Sequence, residues 1–205
     1  MKYSVLSYDK RFFDRSVHAY SVWRGDGSIK RVASISGGKD STAMLFFLCE
    51  LRDRYGMNCE AVIADTGNEN ELTIDYVHEL ERLSGVQIAW VKPDFSEQIA
   101  KRRIYVQEHY KEPARSRVLS ILHPIGIPLL DLCLWKGRFP SARAQFCTVE
   151  LKVLPIKEYH EKHLSRGYVV ESWQGIRSEE SHSRKFLPKR NFEDENTWNV
   201  RPVLR

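Results

Sequence analysis

The chain has 205 residues, of which 42% are hydrophobic and 29% are charged, and its formal net charge is +5. These proportions are typical of a soluble globular protein of one domain, and no apolar stretch is long enough to cross a membrane. The first residues are not followed by the apolar segment of a secretory signal, so we expect a cytoplasmic protein without a membrane partner.

The positive charge lies in the last third of the sequence. Residues 1–135 contain 18 Lys and Arg and 18 Asp and Glu, whereas residues 136–205 contain 14 and 9. We therefore predict a single domain over residues 1–205 with a basic C-terminal portion from about residue 136. An excess of this size fits an anionic substrate or a nucleic-acid partner, and it equally fits a solvated basic face.

The N-terminal part of the chain predicts a β-hairpin. Residues 16–23 and 29–35 alternate apolar and polar side chains, and residues 24–28 between them include two glycines. This pattern is typical of two antiparallel strands joined by a tight turn.

A short loop rich in glycine and small polar residues follows the apolar, β-branched residues 32–35. Its members are Ser36, Gly37, Gly38, Lys39, Asp40 and Ser41. Glycine allows a tight turn and a close approach by a ligand. A helix beginning at Asp40 or Ser41 would point unpaired N–H groups and its positive dipole end at the same place. A strand, loop and helix of this kind binds phosphate, with Lys39 adding a charge and the two serines adding hydroxyl donors.

The loop lacks the spacing of a Walker loop. That motif needs a glycine five residues before its Gly-Lys pair and a Ser or Thr directly after it. Ala33 and Asp40 occupy those positions here. The loop is therefore not the cradle used for transfer of a γ-phosphate.

Strands and helices alternate after the loop. The apolar periodicity predicts helices at residues 42–54, 72–83 and 95–110, and strands at 59–64, 87–91 and 168–172. This order predicts an α/β fold with a mostly parallel, twisted sheet and helices on both faces. Ligands bind at the carboxyl ends of such strands, so residues 36–41 and 65–69 should face one crevice.

Asp65 opens the second of these segments. Its carboxylate could accept a hydrogen bond from a ligand or help to hold Mg²⁺, together with Asp40. The alternative is an aspartate that merely stabilises a turn or caps a helix.

Residues 101–117 are strongly basic and contain Pro113, which should interrupt the helix. They predict either a mobile basic lid over phosphates or a solvated face. Residues 120–135 predict a broken helix packed on the core.

The second informative stretch begins near residue 145. Thr148 is a candidate N-cap for a helix that runs to Leu164, and Lys152, about one turn later, could reach a phosphate. Residues 175–184, with the pattern G-x-R-x-x-E-S-x-x-R, follow the strand at 168–172 and supply Arg177 and Arg184.

Four motifs occur in a characteristic order: the SGG-x-DS loop, DTG-x-E after the second strand, Cys-Thr-x-x-x-Lys-x-x-Pro at 147–155, and G-x-R-x-x-E-S-x-x-R. In this order they resemble the phosphoadenosine-phosphosulfate (PAPS) reductase-like family of the ATP pyrophosphatase, or PP-loop, superfamily. The likeness covers roughly residues 32–202. It implies an adenine nucleotide alpha-hydrolase-like fold that holds the β- and γ-phosphates and exposes the α-phosphate.

The resemblance also implies site residues. Nucleotide contacts fall on Ser36, Gly38, Lys39, Asp40, Ser41 and Asp65, and anion contacts on Lys152, Arg177 and Arg184. Of these, Lys39, Asp40 and Asp65 are the candidate catalytic residues.

Two features differ from the reductases of that family. The sequence contains no ECG-x-H segment with a nucleophilic cysteine, so we expect a function other than sulfonucleotide reduction. Members with an iron–sulfur cluster carry paired cysteines where Phe146 precedes Cys147 here. We expect no cluster and free thiols at Cys49, Cys59, Cys133 and Cys147, although Cys133 and Cys147 could be neighbours in space.

The predicted reaction is cleavage of ATP between the α- and β-phosphates, assisted by Mg²⁺, to adenylylate an acceptor for sulfur transfer. Two alternatives remain open: a module that binds ATP or PAPS without turnover within a larger complex, and a nucleic-acid-modifying component of the phosphorothioation type. The expected acceptor is a nucleic acid or a protein.

Overall fold

The computed structural model describes residues 27–180 and 182–202. The predicted hairpin strand at residues 16–23 lies outside the described residues, as does Ser181 in the last motif. The second strand of that predicted hairpin, residues 29–35, is present as β1, Ile29–Ile35.

The remaining elements alternate as the periodicity predicts. The other strands are β2 (Glu60–Ala64), β3 (Ile88–Val91), β4 (Val169–Gln174), β5 (Arg190–Asp194) and β6 (Thr197–Val200). The α-helices are α1 (Lys39–Tyr55), α2 (Glu71–Ser84), α3 (Ser96–His109), α4 (Ala114–Ile121), α5 (Pro128–Lys136), α6 (Phe146–Thr148) and α7 (Leu154–Leu164). None of the helices in the described part of the chain combines the length and apolarity needed to cross a bilayer.

The six strands form one sheet in the order β3-β2-β1-β4-β6-β5. β4 runs parallel to both β1 and β6, while β5 and β6 are antiparallel. The predicted α/β fold with a mostly parallel sheet is confirmed. The antiparallel pair at the β5 edge was not predicted, because its strands are short and β5 is largely polar.

The described residues divide into two compact units. The first contains residues 27–62, 76–88 and 162–202 apart from Ser181, and the second contains residues 63–75 and 89–161.

In the first unit, α1 buries one face against the strands. Leu45, Leu48 and Trp173 are fully or almost fully buried, and the rings of Phe47 and Trp173 lie 6.2 Å apart. Each buried side chain of this size contributes about 1.5–3 kcal/mol to folding. Gly56, with φ of 68°, ends the helix in the left-handed conformation that glycine adopts without strain.

A buried ion network connects three strands of the same unit. The Glu171 carboxylate on β4 lies 3.0 Å from Nε of Arg31 on β1 and 2.9 Å from Nη2 of Arg190 on β5. Arg31 and Glu171 are only 2% and 3% exposed. Burial lowers the pKa of the Arg31 guanidinium, while Glu171 opposes that shift. Part of the basic excess of the last third, at Arg190, is therefore internal.

The second unit has its own apolar core. Six buried side chains from α3, α5 and the segments beside them form it: Phe95, Ile99, Val106, Leu122, Leu132 and Leu151. Residues 110–113 separate α3 from α4, so the predicted interruption at Pro113 is confirmed.

The helix predicted to begin at Thr148 begins earlier. α6 starts at Phe146, and a π-helical turn, Val149–Val153, joins it to α7. Thr148 lies inside the helical path with φ of −63° and ψ of −44°, and its side chain caps nothing. The predicted N-cap at Thr148 was wrong, because a residue with N-cap propensity is also tolerated where the chain is already helical.

Candidate functional site

The pairing of β1 with β4 brings two loops side by side in the first unit. Ser34 lies opposite Gln174 in the parallel register, so both strands end at the same edge. Residues 36–41 continue from β1, and residues 175–177 continue from β4. Two motifs far apart in the sequence thus meet at one place.

The loop after β1 is shaped by its own hydroxyl groups. Gly37 has φ of 72°, which allows the turn out of the strand. Oγ of Ser41 accepts a hydrogen bond from the Ser36 N–H at 3.2 Å and donates one to the Gly38 carbonyl at 2.9 Å. Ser41 is 4% exposed. Its hydroxyl is therefore used to fold the loop.

The groups at the tip of the loop face solvent. Ser36, Gly38 and Lys39 are exposed, and α1 begins at Lys39, one residue earlier than predicted. Gly38 is the N-cap residue, and no side chain caps this helix terminus. Since the first N–H groups of an α-helix have no partner within the helix, they can bind an anion here.

Gly175 packs directly against the start of α1. A Cβ atom on Gly175 would lie 2.5 Å from the Ser41 amide nitrogen and 2.6 Å from the Asp40 carbonyl carbon. Backbone atoms at such distances could move aside only at a large cost in free energy. The sequence marked Gly175 as the start of a motif, but only the structure shows that its missing side chain lets β4 end against the loop.

Arg177 and Asp40 form an ion pair across the site. Nε of Arg177 donates to Oδ2 of Asp40 at 2.8 Å, with the two side chains 33% and 19% exposed. The sequence predicted that Arg177 binds an anionic ligand and that Asp40 helps to hold Mg²⁺. It did not predict that these two side chains contact each other. Arg184 lies in the 3₁₀ turn Ser183–Phe186 of the same unit.

The loop after β2 belongs to the second unit, and its polar groups bind one another. Oδ1 of Asp65 accepts a hydrogen bond from the Gly67 N–H at 2.9 Å, which is the turn-stabilising alternative left open above. The Glu69 carboxylate accepts from the Thr66 N–H at 3.1 Å, the Thr66 hydroxyl at 2.5 Å and the Asn68 N–H at 3.2 Å. Sequence reasoning gave Glu69 no role.

Lys152 lies in the π-helical turn of the second unit and is exposed. The ligand contacts predicted for Asp65 and Lys152 stay predictions, as do those of the loop residues 36–41.

The four cysteines are free thiols, of which Cys49 and Cys133 are buried. Hydrogen bonding with Cys59 lowers the pKa of the buried Cys49 thiol, and burial opposes that shift. Burial raises the pKa of the Cys133 thiol, and the charge of Cys147 raises it further. Within residues 27–180 and 182–202, no three His, Cys, Asp or Glu side chains are grouped to hold a metal ion.

Comparison with known proteins identifies the family. The model of the phosphoadenosine phosphosulfate reductase domain matches residues 30–205. The chain therefore belongs to the phosphoadenosine phosphosulfate reductase domain family, and the resemblance drawn from the four motifs is confirmed.

Two curated relatives come from bacteriophages. The chain is 37% identical over 198 aligned positions to an uncharacterized 37.8 kDa protein of Escherichia phage 186, covering 84% of this chain and 56% of that protein. It is 29% identical over 157 positions to the uncharacterized nin region protein ORF290 of Escherichia phage lambda, covering 77% of this chain and 51% of that protein. The chain thus spans about half the length of the curated relatives it matches.

A solved structure shares the fold. The PAPS reductase of Candida auris, crystallised as a phosphate complex, superposes with a TM-score of 0.51 at 12% sequence identity. The match covers 97% of this chain and 81% of that one. At this identity the likeness supports the fold alone.

Proposed function

We propose that this chain binds ATP through the loop at residues 36–41 and cleaves it between the α- and β-phosphates. The adenylyl group passes to an acceptor as one step of sulfur transfer. The observation that carries the proposal is the exposed N-terminus of α1, at Gly38 and Lys39, beside the carboxyl end of β4.

The surroundings of Gly38 favour a ligand at this place. Its φ of −84° is open to any residue, so the backbone does not require glycine. The closest atom to a Cβ built on Gly38 is Oγ of Ser36, at 3.4 Å, so packing does not require glycine either. Neither backbone conformation nor packing within the protein explains the glycine. Close approach of a phosphate to the backbone does explain it, because a Cβ atom would stand in the way.

The charges around the loop suit a triphosphate. Lys39 is exposed at the helix start, and Arg177 lies beside it with its Nε on Asp40. Pyrophosphate departs more readily when its growing negative charge is met by fixed cations and helix N–H groups. Catalysis then requires positioning and charge stabilisation, without a protein nucleophile.

Asp40 and Asp65 are the candidate Mg²⁺ ligands. Oδ2 of Asp40 accepts a hydrogen bond from Arg177, and Oδ1 of Asp65 accepts one from the Gly67 N–H, so each carboxylate has a second oxygen for a metal ion. Mg²⁺ is usually held by one or two carboxylates, phosphate oxygens and water, and each of these side chains is a donor of that kind. When bound, the ion would neutralise phosphate charge.

The reaction balances without a redox step. An oxygen of the acceptor forms a bond to the α-phosphorus, the bond to the β-phosphate oxygen breaks, and pyrophosphate leaves with that electron pair. A sulfur nucleophile such as hydrosulfide then displaces AMP from the acceptor. Membership of the PAPS reductase domain family supports an adenine nucleotide as the ligand.

The test is to incubate the protein with ATP, Mg²⁺ and candidate acceptors and to separate the nucleotides. AMP and pyrophosphate are expected from the wild type. Lys39→Ala should lose binding and turnover because the leaving pyrophosphate loses its compensating charge. Lys189→Ala removes the same charge at another exposed lysine of the first unit and should change neither.

Other products would contradict the proposal. ADP and phosphate would mean γ-phosphate chemistry, for which this loop lacks the Walker spacing. Tight binding without products would favour the non-catalytic module, above all if PAPS binds more tightly than ATP.

The two arginines after β4 give a second measurement. Arg177→Ala and Arg184→Ala should each weaken nucleotide binding by about 1.5–3 kcal/mol, the range for charge-assisted hydrogen bonds. Calorimetry with ATP and with PAPS measures this loss, and an unchanged urea midpoint shows that the fold survives. Unchanged affinity for both ligands would make the arginines structural.

A further inference from the structure

A basic and aromatic surface in the second unit has no part in the proposed nucleotide site. It consists of the segment 135–146 and the neighbouring part of α3 around Arg102. Residues 136–149 contain three basic residues and no acidic one. We call this region the 102/138 surface.

Contacts between cations and rings hold the surface together. Nζ of Lys136 lies 3.6 Å from the centroid of the Trp135 ring, and Cζ of Arg138 lies 5.6 Å from that of Phe146. Arg102 connects α3 to the segment, because its Nη2 would lie 3.4 Å from a Cβ on Gly137. These groups form one continuous patch.

Some cations of this region are already neutralised or used by the protein. Lys101 pairs with Glu97 at 2.6 Å, and Lys136 pairs with Glu150 at 2.8 Å. Arg103 donates to the carbonyls of Leu119 and Leu122 at 2.9 and 2.6 Å, where it caps the end of α4. These three side chains therefore bind groups of the protein itself.

Three arginines are different. Among residues 27–180 and 182–202, no carboxylate pairs with Arg102, Arg138 or Arg143, and Arg138 and Arg143 are exposed. Arg143 stands in the turn closed by hydrogen bonds between Ser141 and Ala144. Arg138 and Arg143 thus present positive charge to solvent without a counter-charge, and the half-buried Arg102 adds a third unpaired charge.

Exposed rings lie beside these charges. Phe139 is 70% exposed, directly after Arg138, and Tyr105 is 48% exposed, 5.7 Å from Cζ of Arg102. Phe139 is too exposed to stabilise the core. A cationic surface interleaved with exposed rings is the arrangement that holds the phosphates of a nucleic-acid strand while bases stack on the rings.

We propose that the 102/138 surface binds single-stranded nucleic acid, with Arg102, Arg138 and Arg143 on phosphates and Phe139 stacked on a base. Unpaired bases are required because the rings need an open face. The binding itself does not depend on the nucleotide site. If this strand is the acceptor, nucleic acid is the acceptor class for the proposed adenylyl transfer. Only this last step rests on the proposed function.

The experiment measures binding of fluorescein-labelled 20-nucleotide RNA and DNA strands by anisotropy across a salt series. Three phosphate contacts predict a slope of log K against log salt of about −2. The triple variant R102A/R138A/R143A should lose that slope and bind at least tenfold more weakly at low salt. Phe139→Ala should weaken binding about tenfold with the slope unchanged, since stacking releases no counterions.

Matched controls carry the same changes elsewhere. R54A/R82A/R115A removes three arginines that are paired with Glu50, Glu79 and Glu112, so it alters the net charge equally and should bind like the wild type. Phe186→Ala removes a ring that is 75% exposed in the first unit and should also have no effect.

Three results would overturn the proposal: no binding at low salt, an equal loss in the control triple variant, or equal competition by polyglutamate. The last would mean that the surface recognises negative charge alone, as on an acidic protein. Lys39→Ala should keep strand binding, and the R102A/R138A/R143A variant should keep ATP binding. Failure of this inference and failure of the proposed function are therefore separable.

Discussion

The loops that follow β1 and β2 contain similar residue types and use them in opposite ways. After β1, Gly38 and Lys39 are exposed and no side chain caps the helix that starts there. After β2, the Glu69 carboxylate accepts three hydrogen bonds from its own loop, and Asp65 accepts one from Gly67.

This difference between the two loops shows that polar residues in a motif can serve either the structure of the loop or the binding of a ligand. Donors that the protein already satisfies keep the loop rigid, whereas donors at an uncapped helix start are available to a ligand. The DTG-x-E motif is thus explained largely by the structure of its own loop. The SGG-x-DS motif is explained only in part by the hydroxyl of Ser41. Variants in each loop should accordingly differ in whether they change stability or binding.

The largest effect on stability is expected at Gly67. Its φ is 72°, and a Cβ there would lie 2.7 Å from Cδ of Pro128 and 3.0 Å from Cγ2 of Ile127. Gly67→Ala should lower the free energy of unfolding by about 3 kcal/mol, from backbone strain and overpacking together. Urea denaturation measures the loss.

Gly56→Ala is the matched control, because Gly56 has φ of 68° with no atom within 4 Å of an added Cβ. It should lose only about 1–2 kcal/mol, the cost of the backbone alone. Equal losses at Gly67 and Gly56 would mean that the contact with Pro128 is not rigid.

A smaller loss is expected at Glu69. Glu69→Gln keeps one acceptor oxygen but replaces the other by an amide NH₂ group, a donor that cannot accept the hydrogen bonds made to the lost oxygen. Unfolding free energy should fall by about 1.5–2 kcal/mol. Glu108→Gln, at an exposed position of α3, should leave the urea midpoint unchanged. A Glu69 variant as stable as the wild type would show that the loop is not held by this carboxylate.

The smallest change in stability and a large change in binding are expected at Gly38. Alanine is a poorer N-cap than glycine but loses less entropy on folding, so unfolding free energy should change by less than about 0.5 kcal/mol. Its methyl group would occupy the proposed phosphate position, and calorimetry should show ATP binding at least tenfold weaker. Unaltered affinity would place the phosphates elsewhere.

The parts of the fold that the sequence predicts are those fixed by local patterns. The strand, Gly-Gly loop and helix from β1 to α1 lie next to one another in the chain, so apolar periodicity and glycine define them directly. Thr148 shows the limit of such signals. Whether it caps a helix or lies within one depends on the helical path from Phe146 and on Leu151 in the core.

Contacts between residues far apart in the chain could not be predicted from the sequence. The ion pair of Arg177 with Asp40 and the approach of Gly175 to Ser41 join residues more than 130 positions apart, and no local pattern encodes them. The excess of basic residues in the last third of the chain also did not predict where the unpaired positive charges lie. Arg190 is bound within a buried network, while the unpaired arginines of the 102/138 surface include Arg102, which lies before the basic portion.

The pairing of β1 with β4 has a consequence for how the protein is made. On the ribosome, the neighbour Gly175 emerges about 135 residues after the SGG-x-DS loop. Until then β1 lacks its β4 partner, and contacts of such sequence separation form slowly. A ligand that binds the completed loop would also stabilise the late closure of the sheet by mass action. Nascent chains released before residue 175 should therefore gain no protease resistance from ATP, whereas chains that extend through residue 205 should.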